Sequence, residues 1–370
     1  MEVMSRSETN ELHGTDFENH KGGRQMQRRD LFKLMGLTGL GLSRFANSAF
    51  AQSQVPVQSV KGANIFEREK GRPNVFGWPF DEVHVPFRER KEKVKLPNGA
   101  KVAVRIVIAA EWDSGAQNTR PDSVEKADLY TLSLNAQYTF TAGLYRALDV
   151  VAKHGIKTSI MCDGGVVPAY PDLFKEIHRA GHEIMARSWD HYYTPDTFKP
   201  GDEQAAELKR ITDAITQVTG ERPVGWLSPA GKGTGAWAKL LAENNYLYTM
   251  DLNGDDIPYG IKFGNKTLVV VPHKQYSTSD FWAWLRTGNA SPRTVETAFD
   301  YFRQVFDHIY EYATTEYPLT IFCGVHPYWS CLPDRIKYHD KIIAYMKGFK
   351  DVYFTRNKDL AQYWKEAYLS

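Results

Sequence analysis

Apolar residues recur along this chain in two rhythms: short β-branched runs, and longer stretches with apolar positions three and four apart. Residues 102–110 (Val-Ala-Val-Arg-Ile-Val-Ile-Ala-Ala) form a run of the kind found in strands covered on both faces. Residues 140–154 carry apolar positions at helical spacing and stop at Gly155, a helix-closing signal. A second strand is predicted over 156–162, a helix over 171–180 ending at Gly181, and a third strand over 182–186. The clearest helix is 202–219. Leu208, Ile211, Ile215 and Val218 make one stripe, Asp202 and Glu203 favour its start, and Gly220 follows. The alternation continues with strands over 224–227, 246–251, 267–271, 319–325 and 352–355. Helices are predicted over 234–244, 293–312, 334–349 and 357–366. Strand and helix alternating over this length indicate a parallel α/β protein in a single domain. So many consecutive units favour a closed barrel over an open sheet.

Residues 1–25 are polar and lack any such period. Arg28-Arg29-Asp30-Leu31-Phe32-Lys33 then leads into a short Gly-rich apolar run, 34–42, and a small-residue site at Ala49-Phe50-Ala51. Basic region, apolar region and cleavage site in that order predict a signal peptide over 1–51. The paired arginines resemble the twin-arginine type, which implies a periplasmic or secreted protein. A Pro-rich lead-in, 52–100, separates this segment from the barrel at 101–370.

The 46 basic and 44 acidic side chains leave a formal charge of +2, so nothing points to nucleic acid as a partner. No apolar run reaches the roughly 18 residues of a membrane span. Three cysteines exclude a disulfide framework and a four-thiolate metal cage. Cys323 and Cys331 could pair, or all three could be buried thiols.

In α/β barrels the chemistry sits at the carboxyl ends of the strands. Those ends carry Glu111-Trp112-Asp113, Arg187-Ser188-Trp189-Asp190-His191, Ser228 through Lys232, Asp251 with Asp255-Asp256 beyond it, and His326-Pro327. Each charge alone reads as a solvated loop residue; their shared placement points to a metal site or an acid–base site. His182 and His154 read as structural histidines. His178, His273, His308 and His339 have no companion at ligand spacing.

Several stretches resemble the polysaccharide deacetylases, and within them the allantoinase-like and cyclic-imide-hydrolase-like branch. They are Leu96-Pro97-Asn98-Gly99-Ala100-Lys101-Val102-Ala103-Val104, His154-Gly155-Ile156-Lys157-Thr158, Gly181-His182-Glu183-Ile184, Thr219 through Pro229, and His326-Pro327 followed by Asp334-Arg335-Ile336-Lys337-Tyr338. The resemblance implies an irregular (β/α)7 barrel and hydrolysis of a carbon–nitrogen bond other than a peptide bond. It implies Glu111 as base and Asp113 with His191 as metal ligands. Arg187 stands where the family places its first ligand histidine, and a guanidinium cannot ligate a cation. Leu227 stands where an arginine is usual.

Three readings remain open at this stage. The first is a metal-independent hydrolase in which Glu111 activates water, His326 protonates the leaving nitrogen and Arg187 binds the oxyanion or a substrate carboxylate. The second is a hydrolase with a weakly bound divalent, zinc-like metal in a rearranged shell of Asp113, His191 and one of Glu111 or His326. The third is a carbohydrate-binding barrel without catalysis. Trp112, Trp189, Lys232 and Asp256 are the expected substrate contacts, for an N-acetylated carbohydrate or a small cyclic amide or ureide.

Overall fold

The computed structural model describes residues 82–84, 93–112, 129–191, 193–273, 278–284 and 294–369. All of them belong to one compact unit, Gly62–Ser370. The expected targeting segment and most of the lead-in lie outside the described residues, as do Asp113 and Tyr192.

The architecture is built around one strand. A short strand, β1 (Glu82–His84), comes first, and β2 (Val102–Ala110) has all nine residues buried. Side chains of a strand alternate between its faces. Val102, Val104, Ile106, Ile108 and Ala110 pack outward against helices, while Ala103, Val107 and Ala109 join a second cluster inside the barrel.

The helical run that follows has wide turns at Leu132–Gln137 and Thr139–Gly143 before regular α1 (Leu144–Lys153). It begins well before the expected 140. Next come β3 (Ser159–Cys162), α2 (Val166–Ala169), α3 (Pro171–Arg179) and β4 (Glu183–Ala186). Helix α4 (Asp202–Thr219) has the expected bounds, and Gly220 closes it at φ 78°, a left-handed conformation that glycine adopts freely. Then follow β5 (Gly225–Trp226), α5 (Gly235–Glu243) and β6 (Tyr248–Thr249).

A strand absent from the periodicity reading, β7 (Tyr259–Phe263), pairs antiparallel with β8 (Lys266–Val270) across a Gly264-Asn265 turn. The strand opens just after Gly254 and Pro258, which are residues typical of a turn. The rest are α6 (Asp280–Trp284), α7 (Val295–Thr315), β9 (Leu319–Val325), α8 (Pro327–Ser330), α9 (Lys337–Lys347), β10 (Val352–Phe354) and α10 (Asn357–Trp364).

The sheet runs β1-β7-β8-β6-β5-β4-β3-β2-β10, with β9 also paired to β2. All pairings are parallel except β1–β7 and β7–β8. Among the described residues the sheet is therefore mixed and curls as an irregular half-barrel, in keeping with the irregular α/β barrel that the resemblance implies. Its interior is partly polar. Glu183 accepts hydrogen bonds from Ser159 and Tyr248 at 2.5 and 2.7 Å, and buried Arg105 donates to Asn357 and the Pro272 carbonyl.

Gly225 lies against this interior layer: a Cβ there would stand 2.0 Å from the Tyr248 ring. Gly225→Ala should therefore displace Tyr248 from Glu183 and destabilise the fold by about 1–3 kcal/mol, the usual range for an overpacked core. A denaturant melt would show it, and an unchanged midpoint would mean that the ring has room to move.

Candidate functional site

The alternation that makes Ala109, Met161, Met185 and Phe322 interior residues also sets what stands above them. Two residues on from Ala109, Met161 and Met185 come Glu111, Asp163 and Arg187, and four on from Phe322 comes His326. These four side chains converge at the carboxyl ends of β2, β3, β4 and β9. The Arg187 Nη1 donates to Glu111 Oε1 in a buried ion pair and lies 3.3 Å from Met161 Sδ. The Arg187 Nε stands 3.9 Å from Asp163 Oδ1, and His191 Nδ1 stands 3.9 Å from Glu111 Oε1. Asp163 is fully buried and its Oδ2 accepts the Trp112 backbone N–H at 2.8 Å. Burial pushes the Asp163 carboxyl well above its ordinary range, with Glu111 adding to the rise and Arg187 opposing it. Burial and the adjacent guanidinium lower His191 to about 3, so its ring is neutral.

His326 follows β9, the strand paired with β2, which ends just before Glu111. Its Nδ1 is 2.8 Å from Asp280 Oδ1, and its backbone N–H also donates to that carboxylate. Burial would lower the His326 pKa, but the charge and hydrogen bond of Asp280, with help from Glu111, raise it to about 9. Its side chain keeps 25% of its surface, enough for a substrate atom to reach. A carboxylate paired with a cation therefore stands near an imidazolium, a base and an acid in one pocket. Close packing of Gly143 against Pro327, where a Cβ would stand 2.7 Å from the Pro327 carbonyl oxygen, ties the first helical run to the His326 loop.

The structure thus brings Glu111, Arg187, His191 and His326 together. Trp112 lies at the rim, 38% exposed, its ring stacked 6.1 Å from Phe140. Trp189 packs against Gly165 on one side and under the Arg210 guanidinium, 3.4 Å away, on the other, so both are packing contacts. Lys232 is exposed on the loop after β5. Asp256 is set apart: its backbone carbonyl accepts from Thr320, six residues before His326 and so roughly 20 Å from it along β9. Its carboxylate accepts from Tyr317 at 3.2 Å, in the role of a structural anchor. Cys162, Cys323 and Cys331 are all free and buried, so the pairing considered for Cys323 and Cys331 is not formed.

Sequence reasoning passed over Asp163, Asp280 and His273. Strand parity could have found Asp163, two residues beyond Met161, and His273, two beyond interior Val271. His273 takes its place through its Nδ1, bonded to the Met250 carbonyl at 2.5 Å, and burial lowers it to about 4. Asp280 has no periodic signal, because it opens a five-residue helix outside the sheet.

A divalent metal does not fit the described residues of this pocket. The Arg187 guanidinium fills the place between Glu111 and Asp163, and it would repel a cation held by their oxygens or by His191. No group of three His, Cys, Asp or Glu side chains spaced to hold a metal occurs among the described residues.

Residues 128–249, about a third of the chain, match the family model for polysaccharide deacetylase. A peptidoglycan deacetylase of Helicobacter pylori is 25% identical over 124 residues, 33% of this chain and 42% of that protein. The chain thus spans less than half the length of the curated relatives it matches. Among solved structures, a PuuE allantoinase superposes with TM-score 0.66 at 22% identity, over 77% of this chain and 96% of the other. A probable polysaccharide deacetylase of Pseudomonas aeruginosa gives 0.64 at 22%, over 72% and 92%. The fold is that of the polysaccharide deacetylases. Within this fold, Arg187 is paired with Glu111 at the carboxyl ends of the strands.

The protonation of His326 depends on Asp280. Asp280→Asn should lower the His326 midpoint from about 9, because the charge and hydrogen bond that chiefly oppose burial are gone and Glu111 is left to oppose it. Since the folded value exceeds the unfolded one, the stabilisation from this pair is full below pH 6.5 and is lost as pH rises through 9. His191, His273 and His339 have depressed values, so their contributions fall away as pH drops below 6.5. NMR titration of His326 in the two proteins measures the first effect; an unchanged midpoint would detach Asp280 from it.

Proposed function

We propose that the chain is a hydrolase of a non-peptide carbon–nitrogen bond that works without a metal in the deacetylase fold. The observation that carries this reading is the buried Arg187–Glu111 pair facing the His326–Asp280 pair. Glu111 takes a proton from water, and the water oxygen adds to the substrate carbonyl carbon. As Glu111 becomes neutral it releases Arg187, whose charge then pairs with the new oxyanion. One fixed cation thus serves the carboxylate first and the tetrahedral intermediate second. His326 donates its proton to the nitrogen, the carbon–nitrogen bond breaks, and a carboxylic acid and an amine or ureide nitrogen leave.

The substrate class supported is an N-acetylated carbohydrate or a small cyclic amide. The family-model match and the peptidoglycan deacetylase relative support the first, and the allantoinase likeness in fold admits the second. Trp112, Tyr328 and Trp329 near the rim suit the face of a ring. Arg28-Arg29 and Ala49-Phe50-Ala51 support export by the twin-arginine route before the enzyme meets such a substrate.

Glu111→Gln and His326→Ala should each lower kcat by about two to four orders of magnitude, the scale of a positioned base or acid. Turnover of N-acetylated oligosaccharides and of cyclic imides or ureides should be followed for both variants. A variant that matches the wild type removes that residue from the mechanism. Thermal stabilisation by these compounds without turnover would mark the barrel as a binder instead.

A further inference from the structure

Beyond the base, the cation and the acid, the structure holds a buried histidine that the reaction does not use. His339, on α9, is 4% exposed, and its Nε2 lies 2.8 Å from Ser330 Oγ at the end of α8. The Ser330 Oγ is in turn bonded to Asp280 Oδ2, the oxygen that does not face His326 Nδ1. Four side chains from separate elements therefore form one chain: His339, Ser330, Asp280, His326.

The direction of this chain follows from which atoms carry protons. Asp280 is held in its charged form: burial would raise its pKa, but His326 outweighs this and lowers it. As a carboxylate it can only accept, so Ser330 must donate. A hydroxyl has one proton, and the carboxylate takes it in preference to the His326 carbonyl, which is 3.1 Å from the same oxygen. The Ser330 oxygen is then left as an acceptor facing His339, so Nε2 of that ring carries a hydrogen. Burial, opposed by Asp280, lowers His339 to about 4, so the ring is neutral with its other nitrogen bare. Every donor points toward Asp280.

We propose that Ser330 and His339 are positioning residues of the acid: together they hold Asp280 Oδ2 so that Oδ1 stays aligned with His326 Nδ1 and the opposite ring nitrogen stays aimed at the leaving nitrogen. The inference rests on the reading of His326 as the acid. The carboxylate of Asp280 sits on the first turn of a five-residue helix, where its Oδ1 takes His326 Nδ1 at 2.8 Å and the Ser279 hydroxyl at 3.3 Å. Two donors on Oδ2, the Ser330 hydroxyl and the His326 backbone N–H, fix it. The hydroxyl is held in turn by His339, whose Nε2 occupies its lone pair.

The test compares Ser330→Ala, His339→Leu and His339→Gln in the full chain. Glutamine carries an amide N–H near the place of the histidine Nε2 and can keep the direction of the chain, whereas leucine cannot. Ser330→Ala and His339→Leu should each lower kcat about tenfold, the scale of one buried hydrogen bond, with KM changed less than about twofold. His339→Gln should recover most of that loss. A readout independent of turnover is the low-field proton resonance of the His326 Nδ1–H, which requires the Asp280 contact. It should broaden or move upfield in Ser330→Ala and His339→Leu and return in His339→Gln. Wild-type resonance and kcat in Ser330→Ala and His339→Leu would overturn the proposal. So would equal losses in the leucine and glutamine variants accompanied by a lower melting temperature, which would make His339 a packing residue. If no variant of Glu111 or His326 affects turnover while the resonance still responds, the alignment stands and the reading of the acid falls.

Discussion

The pocket depends on the buried ion pair of Arg187 with Glu111. Two charges removed from water destabilise a fold unless each is compensated in place, and deleting one partner of such a pair typically costs about 3–5 kcal/mol. The groups around this pair follow from that constraint. Asp163, close enough to compete for the guanidinium, is pushed by burial toward its neutral acid form, so one cation faces one carboxylate. His191 is neutral for the same reason, since a second cation beside Arg187 would be left without compensation. At the end of the adjoining strand Asp280 and His326 balance each other. The site thus holds two internally neutral pairs, and the proposed reaction passes charge between them through the substrate.

That arrangement is a product of strand alternation. Once β2, β3, β4 and β9 are parallel and in register, the interior residue of each strand fixes which residue stands above it at the carboxyl end. A one-residue slip in β4 would turn Arg187 out of the barrel and leave Glu111 buried without its cation. The interior layer below, with Glu183 bound by Ser159 and Tyr248, ties β3, β4 and β6 together by polar contacts that a slipped register would break.

Much of this was legible in the chain. The apolar run of 102–110 and the stripe of 202–219 specify their elements with the observed bounds, because each has one buried pattern and a clear stop. Glu111, Arg187 and His326 could be read because each directly follows a strand. Residues 259–263 could not, because an antiparallel hairpin strand that opens after Gly254 and Pro258 carries the same local signals as a turn. Asp256 misled for the converse reason: sequence nearness to a strand end placed it in the pocket, whereas the chain carries it to Thr320 and Tyr317. The partnership of Asp280 with His326 joins residues 46 apart across different elements, and nothing local marks it.

In the proposed reaction Arg187 supplies the positive charge that the family resemblance would assign to a metal. Metal content and turnover, measured together on the wild type before and after exhaustive chelation, test it most directly. The account predicts far less than one equivalent of transition metal per chain and turnover that survives chelation. Arg187→His, which restores two histidines four residues apart, should gain metal affinity while losing the native reaction. One tightly held metal per wild-type chain, with activity lost on its removal and regained on its return, would contradict the account.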